Sequence, residues 1–217
     1  METVLDHGFV ELLDVFGDDL TVVNAARVSF NKESTELTEK DSKLIKYLAD
    51  HNHVTPFFHP QIRMRIKMPI FVAREWYRHQ IGFARNEVSR RYVDYTPICY
   101  VPQVVRARDA KLKQGSKEEA VDDAPMCKLL IKDINDRAIE TYDQLLESGV
   151  APELARTILP QGMYTEFIET GSLAAYGRLC QLRLDPSAQW EIRQYADTVN
   201  KLLLSRFPVS WAALMKE

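Results

Sequence analysis

The stretch HPQIRMRIKMPIFVAREWYRH, residues 59–79, changes its hydrophobic period halfway along. Ile62, Met64, Ile66 and Met68 alternate with Arg63, Arg65 and Lys67. Side chains that alternate in this way fall on opposite faces of a strand, so the segment predicts a half-buried β-strand. Pro69 suits the first turn of a helix, where its missing N–H is no loss, and a helix is expected over Ile70–His79. A strand running directly into a helix implies that the chain mixes the two classes.

The same reading extends outward in both directions. Gly8–Val15 predicts a strand, and Asp19–Val28 a helix with Leu20, Val23 and Ala26, and also Val22, turned inward. Thr38 with Asp41 three residues on resembles a capping box, opening a helix that should end near Asn52. Downstream, Ile81–Arg85 reads as a turn-like stretch and Ile98–Val101 as a short strand. Arg106–Pro125 is polar with no clear period and reads as a mobile or variable insertion. Leu129–Ser148 predicts a long amphipathic helix stopped by Gly149, and Pro152–Leu159 a shorter one. Met163–Thr170 is β-prone, and Ser172 caps a helix running to Leu182. Asp185-Pro186 should open the last long helix, which ends near Phe207-Pro208.

Composition narrows the functional classes. The 217 residues are long enough to bury a core, 46% are hydrophobic, and 27% are charged. A net charge of -3 argues against a surface built to coat nucleic acid, so anion binding must come from a local cluster. No apolar run approaches the ~20 residues that span a bilayer, and Met1–Val10, with Glu2 and Asp6, does not read as a secretory signal. Cys99, Cys127 and Cys180 are scattered and odd in number, which suggests a reducing, intracellular setting.

Residues 74–92, REWYRHQIGFARNEVSRRY, form the cluster in question. Arg74, Arg78, Arg85, Arg90 and Arg91 occur with His79 and are opposed by Glu75 and Glu87. A helix would put Arg74 and Arg78 on one face. Forked guanidinium groups match phosphate oxygens bidentately, where lysine offers a point charge. On these grounds alone the window reads equally as a specific anion site or as a solvated basic face. His51, His53 and His59 allow a metal by geometry, yet no carboxylate or cysteine lies close by in sequence, and no metal is expected. A metal-dependent hydrolase using these histidines with His79, and an RNA- or nucleotide-binding module using the arginines, are the competing readings. Arg156, Arg178 and Arg183 sit in apolar surroundings, where a guanidinium must pair, bind an anion or snorkel.

Together these residues resemble the flavin-dependent thymidylate synthases. Arg78-His79, then Asn86, Glu87, Ser89 and Arg91 match the family's signature. Asn24–Phe30, His53–Phe57, Leu145–Pro160, Thr170–Leu173, Leu182-Arg183 and Ala188–Ile192 extend the match in order over nearly the whole chain, apart from about residues 103–125. The chain departs from the pattern in three places. Gln80 replaces the signature's third arginine, one extra residue falls among Gly82–Arg85, and Glu75 stands where some members carry glutamine.

The resemblance implies an α+β fold of one domain, residues 1–217, with a small antiparallel sheet and long C-terminal helices. It implies a homotetramer with sites shared between subunits, and reductive methylation of dUMP to dTMP. Methylenetetrahydrofolate would donate the carbon and NADPH-reduced FAD the hydride. It further implies Arg183 as the catalytic residue against the uracil, with Ser89, Arg91 and Arg156 on the dUMP phosphate. His53, Thr55, Arg78, His79, Gln80, Ile81, Asn86, Glu87 and Arg178 would frame the flavin. Glu75, Arg78, Glu87 and Arg90 would also face the nucleotide. No nucleic-acid polymer or membrane is expected as a partner, and the expected location is the cytoplasm, or a host's cytoplasm for a phage-encoded chain.

Overall fold

The structure is a computed structural model and describes residues 1–93, 95–109 and 115–216. Its centre is a five-stranded sheet in the order β1 (Glu2–Val4), β2 (Gly8–Phe16), β3 (Gln61–Pro69), β7 (Tyr164–Ser172) and β4 (Phe83–Glu87). Every neighbouring pair is antiparallel. The deciding stretch behaves as its period requires. Ile62, Met64, Ile66 and Met68 are fully buried, while Arg63 and Arg65 face outward. Thr165, Phe167 and Glu169 of β7 share the buried face, and Glu166 and Ile168 lie on the other.

Helices cover the buried face. They are α1 (Asp19–Arg27), α2 (Glu39–Asp50), α3 (Ile70–Trp76), α6 (Leu173–Arg183), α7 (Trp190–Arg206) and α8 (Pro208–Met215). The core between sheet and helices holds Phe57, Trp76, Phe167, Tyr176, Tyr195, Phe207 and Trp211. The Thr38/Asp41 capping box forms in both directions. Asp41 also accepts from Ser34 and pairs with Arg27 at 2.5 Å, which ties α1 to α2. Hydrogen bonds from Thr38 first, then from Arg27 and Ser34, hold the Asp41 carboxyl down at about 2 against burial, which pushes it up. α4 (Ala124–Glu147) stops where Gly149 takes a φ of +81°, and α5 (Pro152–Ala155) follows.

Several expectations need correction. Ile81–Arg85 is not simply a turn, because Phe83 opens β4 against Gly171. The helix expected to reach His79 ends at Trp76, so Arg74 and Arg78 do not share a helical face. Arg106–Pro125 contains β5 (Arg106–Arg108) and β6 (Ser116–Ala120), paired antiparallel, and α4 starts at Ala124. Residues 110–114 lie outside the described residues. Ile98–Val101 contributes one bridge, Cys99 to Met163. Asp185 does not cap the last long helix; it accepts from the Ser187 amide and hydroxyl in a separate turn, and α7 begins at Trp190. Beyond Pro208 the chain is helical again, because buried Asp19 accepts from the Val209 and Ser210 amides at 3.1 and 2.8 Å. That long-range cap from the N-terminal third carries no local signal.

Candidate functional site

The expected site residues fall into two groups on the described chain. The first lies where the C-terminal end of α3 meets α6. Ser172 caps α6 by accepting from the Ala175 amide at 3.2 Å, and the buried side chains of Leu173, Tyr176, Leu179 and Cys180 fix the helix against the sheet. Arg183 ends that helix half-buried. Its Nε donates to His79 Nε2 at 3.0 Å, Nη2 donates to the Glu75 carbonyl at 3.2 Å, and Nη1 faces Glu75 Oε2 at 3.4 Å. A guanidinium carries five N–H groups, so these contacts leave donors free for a ligand.

The Arg183 contact requires a lone pair on His79 Nε2 and therefore a neutral ring. Electrostatics agree: burial first, then Arg183, Arg85 and Arg178, hold His79 down at about 4. An unfolded histidine titrates near ~6.5. Between that value and about 4 the unfolded chain binds a proton that the folded chain does not, so this residue's contribution to stability falls as pH drops through that window. The His79 ring resonances are expected to titrate near about 4 by NMR. A midpoint close to the ordinary histidine value would contradict the arrangement.

Arg178, on α6, donates to the Ile81 carbonyl at 2.7 Å and lies over the Phe58 ring at 5.4 Å. It thereby holds the Gln80–Gly82 turn onto the 3-10 turn Thr55–Phe58. Gly82 sits in that turn with a φ of +84°. A Cβ there would come within 3.0 Å of both Ala175 Cβ and Ser172 Oγ, so only glycine fits without strain. Thr55, Arg78, Gln80 and Ile81 are exposed around this turn. His53 is exposed after α2, edge-on to Tyr47 at 6.0 Å.

The second group follows β4. Thr165 donates to Glu87 at 2.5 Å, and Arg91 donates to Ser89 Oγ at 3.4 Å. Asn86 and Glu87 border an open cleft of about 570 Å³, together with Arg65, Lys67, Tyr95 and Ile98. Arg90 is buried, donates to the Tyr95 carbonyl and lies 4.3 Å from that ring's centroid. It therefore braces the turn after Ser89. Arg156 is exposed on the 3-10 turn after α5 and makes no polar side-chain contact with either group among the described residues. Arg74 lies apart, donating to Gln161 at 3.1 Å.

Arg78, Arg91 and Arg156 are exposed and have no carboxylate partner among the described residues, a donor set that fits phosphate and diphosphate oxygens. The histidines make no metal centre among the described residues, where no cluster of three ligating side chains occurs. His51 instead stacks on Tyr47 at 4.0 Å. Cys99, Cys127 and Cys180 are all free. No helix of the described residues is long and apolar enough to cross a membrane. Sequence reasoning missed the buried contacts of Arg85 and Glu169. The available signal was a glutamate at an inward position of a β-prone strand.

Residues 11–209 match the sequence family described as thymidylate synthase complementing protein. The flavin-dependent thymidylate synthase of Thermus thermophilus is 41% identical over 97% of this chain and 76% of its own length. That of Thermotoga neapolitana is 40% identical over 98% of this chain and 93% of its own. Among solved structures, the UMP/dUMP methylase PolB from Streptomyces cacaoi, bound with 5-Br dUMP, superposes with a TM-score of 0.87. It is 30% identical, over 100% of this chain and 97% of that one. With two-fifths of its residues shared over nearly its full length, the chain belongs to the family of flavin-dependent thymidylate synthases.

Proposed function

We propose that this enzyme methylates dUMP to dTMP, with FAD as cofactor, NADPH as reductant and methylenetetrahydrofolate as carbon donor. The observation that carries the reading is the half-buried Arg183, held at 3.0 Å by a neutral His79 and anchored to the last turn of α3. A guanidinium fixed before substrate arrives costs no reorganisation when charge develops on the pyrimidine. Bound FAD, once reduced, supplies the hydride that completes the methyl group.

The chain's own residues bind and orient. Arg183 stabilises negative charge on the N3/O2 side of the uracil. Glu75 keeps that guanidinium in place and faces the nucleotide beside it. Ser89, Arg91 and Arg156 take the dUMP phosphate, and Arg90 shapes the turn that presents them. His53, Thr55, Arg78, His79, Gln80, Ile81, Asn86, Glu87 and Arg178 line the flavin. Gln80 offers hydrogen bonds without charge, and Arg178 brings a cation to the same turn through the Ile81 carbonyl.

These residues come from separate surfaces of one chain, which supports a homotetramer whose sites are completed between subunits. The exposed Met126, Leu129, Leu130 and Ile134 on α4 are the apolar surface such an assembly would cover. A cytoplasmic location belongs to the same proposal.

Flavin-free chain given dUMP, methylenetetrahydrofolate, NADPH and FAD should form dTMP, and leaving out any one of them should stop it. Product from flavin-free chain without FAD, or none from the complete mixture, would sink the reading. The structural likeness to a UMP/dUMP methylase favours a second arm with UMP as substrate. Methylated UMP at a comparable kcat/KM would widen the substrate to both nucleotides.

A further inference from the structure

A charged pair lies buried between the two site groups. The register of β4 and β7 sets Arg85 opposite Glu169. The Glu169 side chain is fully buried, that of Arg85 is 14% exposed, and Arg85 Nε donates to Glu169 Oε2. From α3, Trp76 Nε1 donates to both carboxylate oxygens at 3.2 and 3.3 Å. The guanidinium lies over Phe83 at 4.6 Å and Tyr77 at 5.4 Å. Tyr176, on α6, packs edge-on against Phe83 at 4.9 Å, with its hydroxyl near the same carboxylate. Burial pushes the Glu169 carboxyl up, against the pull of Arg85 and Trp76.

One ion pair thus joins β7 to α3 and β4, and α6 packs beside it through Tyr176 on Phe83. Each of those three elements carries site residues next to its contact. Trp76 adjoins Glu75 and lies three residues before His79. Arg85 adjoins Asn86 and leads to Ser89 and Arg91. Tyr176 precedes Arg178 by two residues. An apolar pair of similar volume would serve stability as well or better, because removing two charges from water is costly. Such a pair is instead suited to fixing one geometry.

We propose that Arg85 and Glu169 are positioning residues that lock β4 to the ends of α3 and α6 and so set the geometry of the flavin and nucleotide face. The proposal rests on the reading given under Proposed function. Its test is the double variant Arg85→Met/Glu169→Met, with Arg85→Lys and Glu169→Gln alongside. The Met pair should melt close to the parent, lose amide exchange protection at Asn86 and Val88 in flavin-free protein, and raise the Kd for FAD and the KM for dUMP by about tenfold or more. kcat should change less, and Arg85→Lys, which keeps the charge, should recover part of the affinity. Parental FAD affinity and parental amide protection in a folded Met pair would overturn the proposal. Should the Met pair fail to fold, the same parental values in Glu169→Gln would overturn it too. A parent protein that takes up neither FAD nor dUMP would instead count against the functional reading, and the amide protection alone would then decide the role of the pair.

Discussion

Arg183→Ala is expected to lower kcat by about 100-fold or more, the scale for losing one preorganised donor to developing charge. The size of the effect follows from how the residue is held. Its guanidinium is half-buried, fixed by His79, by the Glu75 carbonyl and by the Glu75 carboxylate. The C-terminal end of α3, where those carbonyls point, carries partial negative charge that favours a cation there. Alanine removes the cation and leaves water in its place, which must reorganise as charge forms. Arg183→Lys should recover little, because one ammonium cannot make the same forked contacts and still face the pyrimidine. The fold should persist, since Arg183 lies at the end of α6, past the buried Leu179 and Cys180. Near-parental turnover in Arg183→Ala would remove the residue from the chemistry.

The second large effect is expected far from that residue. If the proposed homotetramer forms through α4, Leu130→Glu/Ile134→Glu should give single chains in size-exclusion chromatography with light scattering, and flavin retention should be lost with it. α4 has 24 residues, of which Asn135 and Tyr142 are the buried ones, while Leu129, Leu130 and Ile134 are about 60% exposed. The spacing of Met126, Leu129, Leu130 and Ile134 puts them along one side of the helix. An isolated helix with such a stripe gains by covering it, and a second copy of the chain is the occupant that the dispersed site residues call for. Two glutamates would place charge in that contact at a desolvation cost. An unchanged mass in solution would contradict the shared-site assembly.

Much of this is legible in the sequence. The alternation in Ile62–Met68 fixed the central strand because its two faces meet such different surroundings. The Thr38/Asp41 cap and the Gly149 stop were read from local chemistry, and both recur in the structure. Local reading failed where a distant partner decides. β4 forms because Phe83–Glu87 finds β7, although Gly82 and the polar residues around it suggested a turn. α8 depends on Asp19, nearly two hundred residues upstream. The site divides in the same way. Residue type alone left the arginine window open between an anion site and a solvated basic face, and nothing in it separated the exposed Arg78 and Arg91 from Arg90, turned onto Tyr95, or from Arg85, paired with Glu169. Those assignments depend on which side of a strand or turn each residue occupies, and that is set by tertiary packing.

The central claim is that this chain holds a flavin which NADPH reduces for use on dUMP. The most direct test is the absorption spectrum of the purified protein, taken anaerobically before and after adding NADPH with dUMP. The account predicts a flavin spectrum, as purified or after adding FAD, that bleaches when NADPH is supplied. A colourless protein that takes up no FAD and oxidises no NADPH would contradict it.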